Sequence, residues 1–236
     1  MNNNPYIQNP ENPLNYNRYS YCLFSPNQYV DPSGLLIDEW EINRFGKIVN
    51  HIVTDKHDAF YMVDDEGNRI EGEELIFPYG TIESYIKRNY SYKNQNDTYD
   101  VFQMRGDDNG KKLFEFLANA VVEQGIEVSH IKSGIEGEKG LNFVSTAHFK
   151  PITEVKEDGL VHRIASEPSL SYLWNGRLQY GYTIREINHS HPLSAEPSDS
   201  DLRFTSRIRQ IYSDIKKTQA PNFSIFYVKE NRYIPF

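Results

Sequence analysis

The chain has 236 residues, with 25 Lys plus Arg against 33 Asp plus Glu and a formal charge of −8, a balance that argues against a nucleic-acid binder needing a basic face for phosphates. The length suits one domain, or one domain with a smaller neighbour. No apolar run approaches the roughly 18 residues of a membrane span, and the start, Met1-Asn2-Asn3-Asn4-Pro5, has neither the basic nor the apolar region of a signal peptide.

Residues 1–30 hold eight Asn, five Tyr and four Pro but only two charged residues, Glu11 and Arg18. Such a stretch breaks helices and has little aliphatic surface to bury, so it reads as an irregular arm over 1–36. Cys22 is the only cysteine, which excludes disulfide frameworks and thiolate zinc clusters, so any metal must be held by His and carboxylate. The arm ends in Asp31-Pro32-Ser33-Gly34-Leu35, two turn-forming dipeptides.

A small β-rich spacer is expected over 37–98, and from 37 to about 79 the signals are those of strands and tight turns, Asn43-Arg44-Phe45-Gly46-Lys47 and Asp64-Asp65-Glu66-Gly67-Asn68 flanking Phe60-Tyr61-Met62-Val63. They predict a small β-meander. The acidic cluster Asp64, Asp65 and Glu66 lacks the ligand spacing and closing Glu of a calcium loop, so a hairpin turn is expected there. Residues 87–110 are polar and turn-rich, with Lys93-Asn94-Gln95-Asn96-Asp97 as the expected connection.

A second unit is expected over 99–236. Leu113, Phe114, Phe116, Leu117, Ala120 and Val121 recur at helical spacing, predicting a helix over 111–124 stopped at Gly125. Strand-like runs follow at 126–131, 141–149 and 179–191, then a helix over 202–217 with Leu202, Ile208, Ile211 and Ile215 inward, and a final strand over 223–228. Interspersed strands and helices make this an α/β or α+β domain, a mixed sheet flanked by helices.

One constellation carries chemistry, His189-Ser190-His191-Pro192 followed by Ser198-Asp199-Ser200-Asp201. Strand residues two apart share a face, so His189 and His191 direct their imidazoles to one ion. Asp201 supplies a carboxylate after the loop that Pro192 begins. Three protein ligands leave a fourth tetrahedral position open for water, the arrangement of a catalytic site. Zinc there lowers the pKa of its water from 15.7 to roughly 7 and polarises a carbonyl. Ser198 and Asp201 also read as a helix capping box, which is compatible with metal binding because the cap fixes the helix end that presents Asp201.

These residues resemble the JAMM (JAB1/MPN+) metalloprotease motif, an upstream Glu, then His-x-His, a spacer and Ser-x-x-Asp. The spacer here, Pro192 to Pro197, is six residues, one fewer than the usual seven. The resemblance implies that His189, His191 and Asp201 ligate zinc, that Ser198 helps hold an oxyanion, and that the general base is a Glu following the first helix. Glu127 sits there, with Glu123, Glu136 and Glu138 as alternatives. His130, His148 and His162 are expected to be hydrogen-bonded or surface imidazoles. Tyr172, Trp174, Tyr180 and Tyr182, just before the metal strand, suit either a peptide groove or core packing.

At the other end, Asn17-Arg18-Tyr19-Ser20-Tyr21 followed by Asp31-Pro32-Ser33-Gly34-Leu35 resembles the closing segment of the Rhs repeat-associated core, where polymorphic toxins switch to a variable tip. With the JAMM-like region it is similar to JAB-like toxin tips. The resemblance implies a hydrolase delivered as an effector in bacterial competition, held in the producer's cytoplasm and exported by a carrier. It further implies a protein or peptide substrate, no nucleic acid, and a neutralising immunity protein. A metal-dependent nuclease toxin and a non-catalytic binding module are the alternatives.

Overall fold

The computed structural model describes residues 38–54, 56–92, 95–148, 152–155, 161–164 and 168–236. The N-terminal arm, including Asp31 and the Rhs-like segment, lies outside the described residues. Among them the chain is a mixed α+β fold, as the sequence predicts, and no helix is long and apolar enough to cross a membrane.

The first four strands are β1 (Asp38–Ile42), β2 (Ile48–Val53), β3 (Asp58–Val63) and β4 (Arg69–Phe77), forming one sheet in the order β2-β1-β3-β4. This is not the expected meander, because β1 lies parallel to β3 and β2 is displaced to the edge. Burial explains the order. Trp40 and Ile42 on β1 are fully buried and need neighbours on both sides, whereas β2 is exposed along nearly its whole length. The two expected turns are hairpins. The Asn43 carboxamide oxygen accepts from the Phe45 and Lys47 amides, and the Asp64 carboxylate accepts from Glu66 and Asn68. Asp64 therefore spends its oxygens on its own turn, the usual local use of an Asp at such a position.

The larger sheet gathers β5 (Ile82–Tyr92), β6 (Gln95–Arg105), β7 (Val128–Ser133), β8 (Leu141–Ala147), β11 (Ile184–His191), β12 (Asn222–Tyr227) and β13 (Arg232–Pro235). Its order is β13-β12-β11-β7-β8-β6-β5, and β9 (Ile152–Val155) pairs separately with β10 (Val161–Ile164). Strands β5 and β6 fill most of the polar stretch 87–110, with the break between Tyr92 and Gln95 falling at the expected connection over 93–97, and the change from small to large sheet falls between Phe77 and Ile82 rather than near residue 99. The region reads as polar because β5 is an edge strand, where exposed charges such as Lys87 and Arg88 discourage further pairing.

Helix α1 (Asp107–Val121) continues as a 3-10 turn over Val122–Gln124 and stops at Gly125, whose φ of 67° is the left-handed cap that glycine adopts without strain. It buries Leu113, Phe114, Leu117 and Val121 against one face of the large sheet, together with Trp40 and Phe60 of the small sheet and Phe102, Val144 and Phe226. The other face packs Ile131, Phe143, Ile187 and Phe223 against the remaining helices. These are α2 (Pro168–Leu173), a π-helical turn (Trp174–Leu178), α3 (Gln179–Gly181), and α4 (Asp199–Ile211) with its own π turn (Tyr212–Lys216).

Two expectations change here. The run over 179–191 is helical at its start and becomes a strand only at Ile184. The buried stripe of the last helix is Thr205, Ile208 and Tyr212, while Leu202 and Ile215 are 47% and 75% exposed. For Ile215 the cause is the π turn. Its wider turn carries Ile215 off the face that a regular period of 3.6 would give it.

Candidate metal centre

Strand β11 lies between β7, to which it is antiparallel, and β12, to which it is parallel. Ile187 of this strand faces the α4 layer, so by the two-residue alternation His189 and His191 point the same way. Both imidazoles are buried, 5% and 6% exposed. Pro192 follows the strand, and the loop to Pro197 returns the chain to the start of α4.

That helix start is set by the predicted capping box. The Ser198 hydroxyl accepts from the Asp201 amide at 3.2 Å, and Asp201 Oδ2 accepts from the Ser198 amide at 2.7 Å. The cap aims the carboxylate at the strand. Asp201 Oδ1 is 3.3 Å from His189 Nε2 and Oδ2 is 3.4 Å from His191 Nε2. The two Nε2 atoms are themselves 2.9 Å apart. One ligand atom from each of the three residues thus falls within 4.8 Å of the others, an arrangement that could hold a metal ion. The donor set, two imidazole nitrogens and a carboxylate oxygen, fits a borderline cation such as zinc.

The surroundings orient these ligands. His191 Nδ1 donates to the Ser194 carbonyl at 3.1 Å, which leaves its Nε2 lone pair free to coordinate. Burial alone would lower the His191 pKa, but hydrogen bonding to Asp201 and the charges of Glu127 and Asp201 raise it above the ordinary value. For Asp201, burial opposes ionisation and loses to the hydrogen bonds with His189 and His191, so its carboxyl stays well below the usual range. A carboxylate held ionised beside two imidazoles offers a cation one oxygen and two nitrogens in place of the protons they share.

Glu127 is the residue immediately before β7. The antiparallel register pairs His189 with Ser129 and, continued by two residues, sets Glu127 opposite His191. Its Oε1 is 4.0 Å from His191 Nε2, and its side chain is 12% exposed. Burial raises its pKa, His191 and His189 pull it down, and Asp201 adds to the upward shift, which wins.

The structure therefore brings together His189, His191, Asp201 and Glu127. Ser198 is at the same helix end, solvent-exposed, its oxygen accepting from Asp201. Of the four candidate glutamates, Glu127 is the one that the described residues bring to within 4.0 Å of the His pair. Trp174 and Tyr182 are core residues, packed against Tyr212 and Phe143; the side chains of Tyr172 and Tyr180, and that of His162, fall outside the described residues. His130 is buried and bonded to Asn142 Oδ1 at 2.8 Å, and burial lowers its pKa to about 4. His148 is buried between Asp100, 2.6 Å from Nε2, and the Phe45 carbonyl, 3.3 Å from Nδ1. Neither belongs to the centre. Ser190, whose hydroxyl accepts from the Val128 amide at 2.9 Å, was not singled out from the sequence, where its place between His189 and His191 was the available signal.

No protein-family model matches the chain, and no curated protein matches it.

Proposed function

We propose that the protein is a zinc-dependent peptidase or isopeptidase of JAMM-like type, acting as a delivered effector toxin. The observation that carries this reading is the convergence of His189, His191 and Asp201 within 4.8 Å, with Glu127 Oε1 4.0 Å from His191 Nε2. A zinc ion bound by the three ligands supplies Lewis acidity and an acidified water to an amide carbonyl. The chain's own residues do the rest. His191 is locked by Ser194, Asp201 is held by its cap, and Glu127 takes a proton at its carboxylate and returns it to the departing amine. Ser198, whose hydroxyl proton is not committed to the Asp201 amide, donates to the developing oxyanion.

A polypeptide substrate is favoured over a nucleic acid by the net charge of −8, which offers phosphates no basic face. The effector role, the carrier and a cognate immunity protein rest on the likeness of the Asn17–Leu35 region to an Rhs core ending. The test is zinc content and toxicity on expression in a bacterial host, for the parent and for Glu127→Gln. The proposal expects about one zinc per chain in both and toxicity in the parent alone. Equal toxicity of both, or plasmid degradation by the parent, would overturn it.

A further inference from the structure

The two ligand histidines are separated by Ser190, which is fully buried. A serine between two inward residues of a strand points to the opposite face, so Ser190 is not available to the metal centre. Its hydroxyl instead reaches across to β7 and accepts from the backbone N–H of Val128 at 2.9 Å. Val128 is equally buried.

The regular pairing of β11 with β7 runs as far as His189 and Ser129. At the next step the amide of Val128 is satisfied by a side chain. The hydroxyl of Ser190 thus acts as the last rung of that ladder, and the residue immediately beyond the rung is Glu127. We infer that Ser190 is a positioning residue: its bond to the Val128 amide fixes the backbone from which Glu127 projects at a set distance from His189 and His191. The inference rests on the reading of Glu127 as the base of a metal centre.

The chemistry of the bond supports the assignment. A buried backbone N–H deprived of its acceptor incurs the full desolvation penalty of that group, so the chain beyond the strand shifts or takes up water unless something replaces the hydroxyl. Shifts of an ångström at a catalytic group matter far more to rate than to fold. Because Ser190 shares its strand with both imidazoles, one oxygen couples the base to the ligands without touching either.

The test uses the full chain loaded with Co2+, whose visible absorption reports groups close to the ion, in the parent, Glu127→Gln, Ser190→Ala and Ser190→Thr. Ser190→Ala is expected to bind one Co2+ per chain with affinity within about threefold of the parent, since all three ligands remain. Its Val128 amide should exchange at least tenfold faster, and its Co2+ spectrum should move towards that of Glu127→Gln. Ser190→Thr, which keeps the hydroxyl, should restore both. Ser190→Cys, similar in size but a weaker acceptor, carries the same comparison if the alanine variant does not fold. A Ser190→Ala spectrum identical to the parent's, with Glu127→Gln clearly different, overturns the positioning role alone. No Co2+ binding by the parent, or no spectral effect of Glu127→Gln, overturns the metal-centre reading and this inference with it.

Discussion

Asp201 has two separable duties, and substitution pulls them apart. Its Oδ2 accepts from the Ser198 amide at 2.7 Å while its two oxygens lie 3.3 and 3.4 Å from the two imidazoles. Asp201→Ala removes half the capping box, a loss on the order of 1 kcal/mol. In a chain of this length that lowers Tm by about 2–4 °C. Asp201→Asn keeps a carbonyl oxygen for the Ser198 amide, so the metal-free protein should lose a smaller share. Zinc separates the variants from the parent. At about 100 times the dissociation constant, a ligand bound only by the native state contributes roughly 2.7 kcal/mol, which amounts to about 5–10 °C here. Thermal denaturation followed by circular dichroism, first in EDTA and then in excess zinc, reads both effects. The parent should gain that increment, and both variants should lose at least half of it. If zinc raises the Tm of Asp201→Asn as much as the parent's, Asp201 is a helix cap and nothing more.

Further expectations follow from neighbouring groups. Glu127→Gln should keep its zinc, measured by elemental analysis, and lose hydrolysis by about 10²- to 10⁴-fold, the contribution of a positioned proton carrier. Because His191 titrates above its ordinary value in the metal-free protein, protons compete with zinc as pH falls through that raised value. Affinity measured by competition with a chelator should then drop about tenfold per pH unit for the one proton displaced. His130, neutral with its pKa lowered from 6.5 to about 4, contributes stability that is complete above about pH 6.5 and is lost as pH falls towards 4. The loss is on the order of 3 kcal/mol, and denaturant midpoints at pH 7 and pH 4.5 for the parent and His130→Gln would measure it. Gly110→Ala should destabilise by about 1–3 kcal/mol, because a Cβ there would meet the Asn142 side chain at 2.6 Å; an unchanged Tm would contradict the close approach of α1 to β8.

The clustering of His189, His191 and Asp201 was legible in the sequence because two strong local rules coincide there. Strand alternation puts His189 and His191 on one face whatever the surrounding fold, and the Ser198–Asp201 pair is a capping box recognisable from residue types alone. Glu127 was found from its place after a glycine-stopped helix, but its partner His191 is 64 residues away, and only the β7–β11 register shows that they meet. The errors lie where tertiary context overrides local preference. The polar strands β5 and β6 owe their pairing to the sheet rather than to a hydrophobic alternation strong enough to read. The π turn at Tyr212–Lys216 leaves no compositional mark, so a regular period assigned Ile215 to a core it does not join, and Leu202, in the first turn of α4, is also exposed. The order β2-β1-β3-β4 depends on which strand can afford exposure, a property of the assembled sheet.

The claim on which the rest depends is that His189, His191 and Asp201 grip one divalent cation. A crystal of the zinc-loaded protein, with diffraction collected on both sides of the zinc absorption edge, tests it directly. One anomalous peak per chain is expected, about 2.0–2.2 Å from both Nε2 atoms and from an Asp201 oxygen. Absence of a peak there at saturating zinc, or a peak held by other residues, would contradict it.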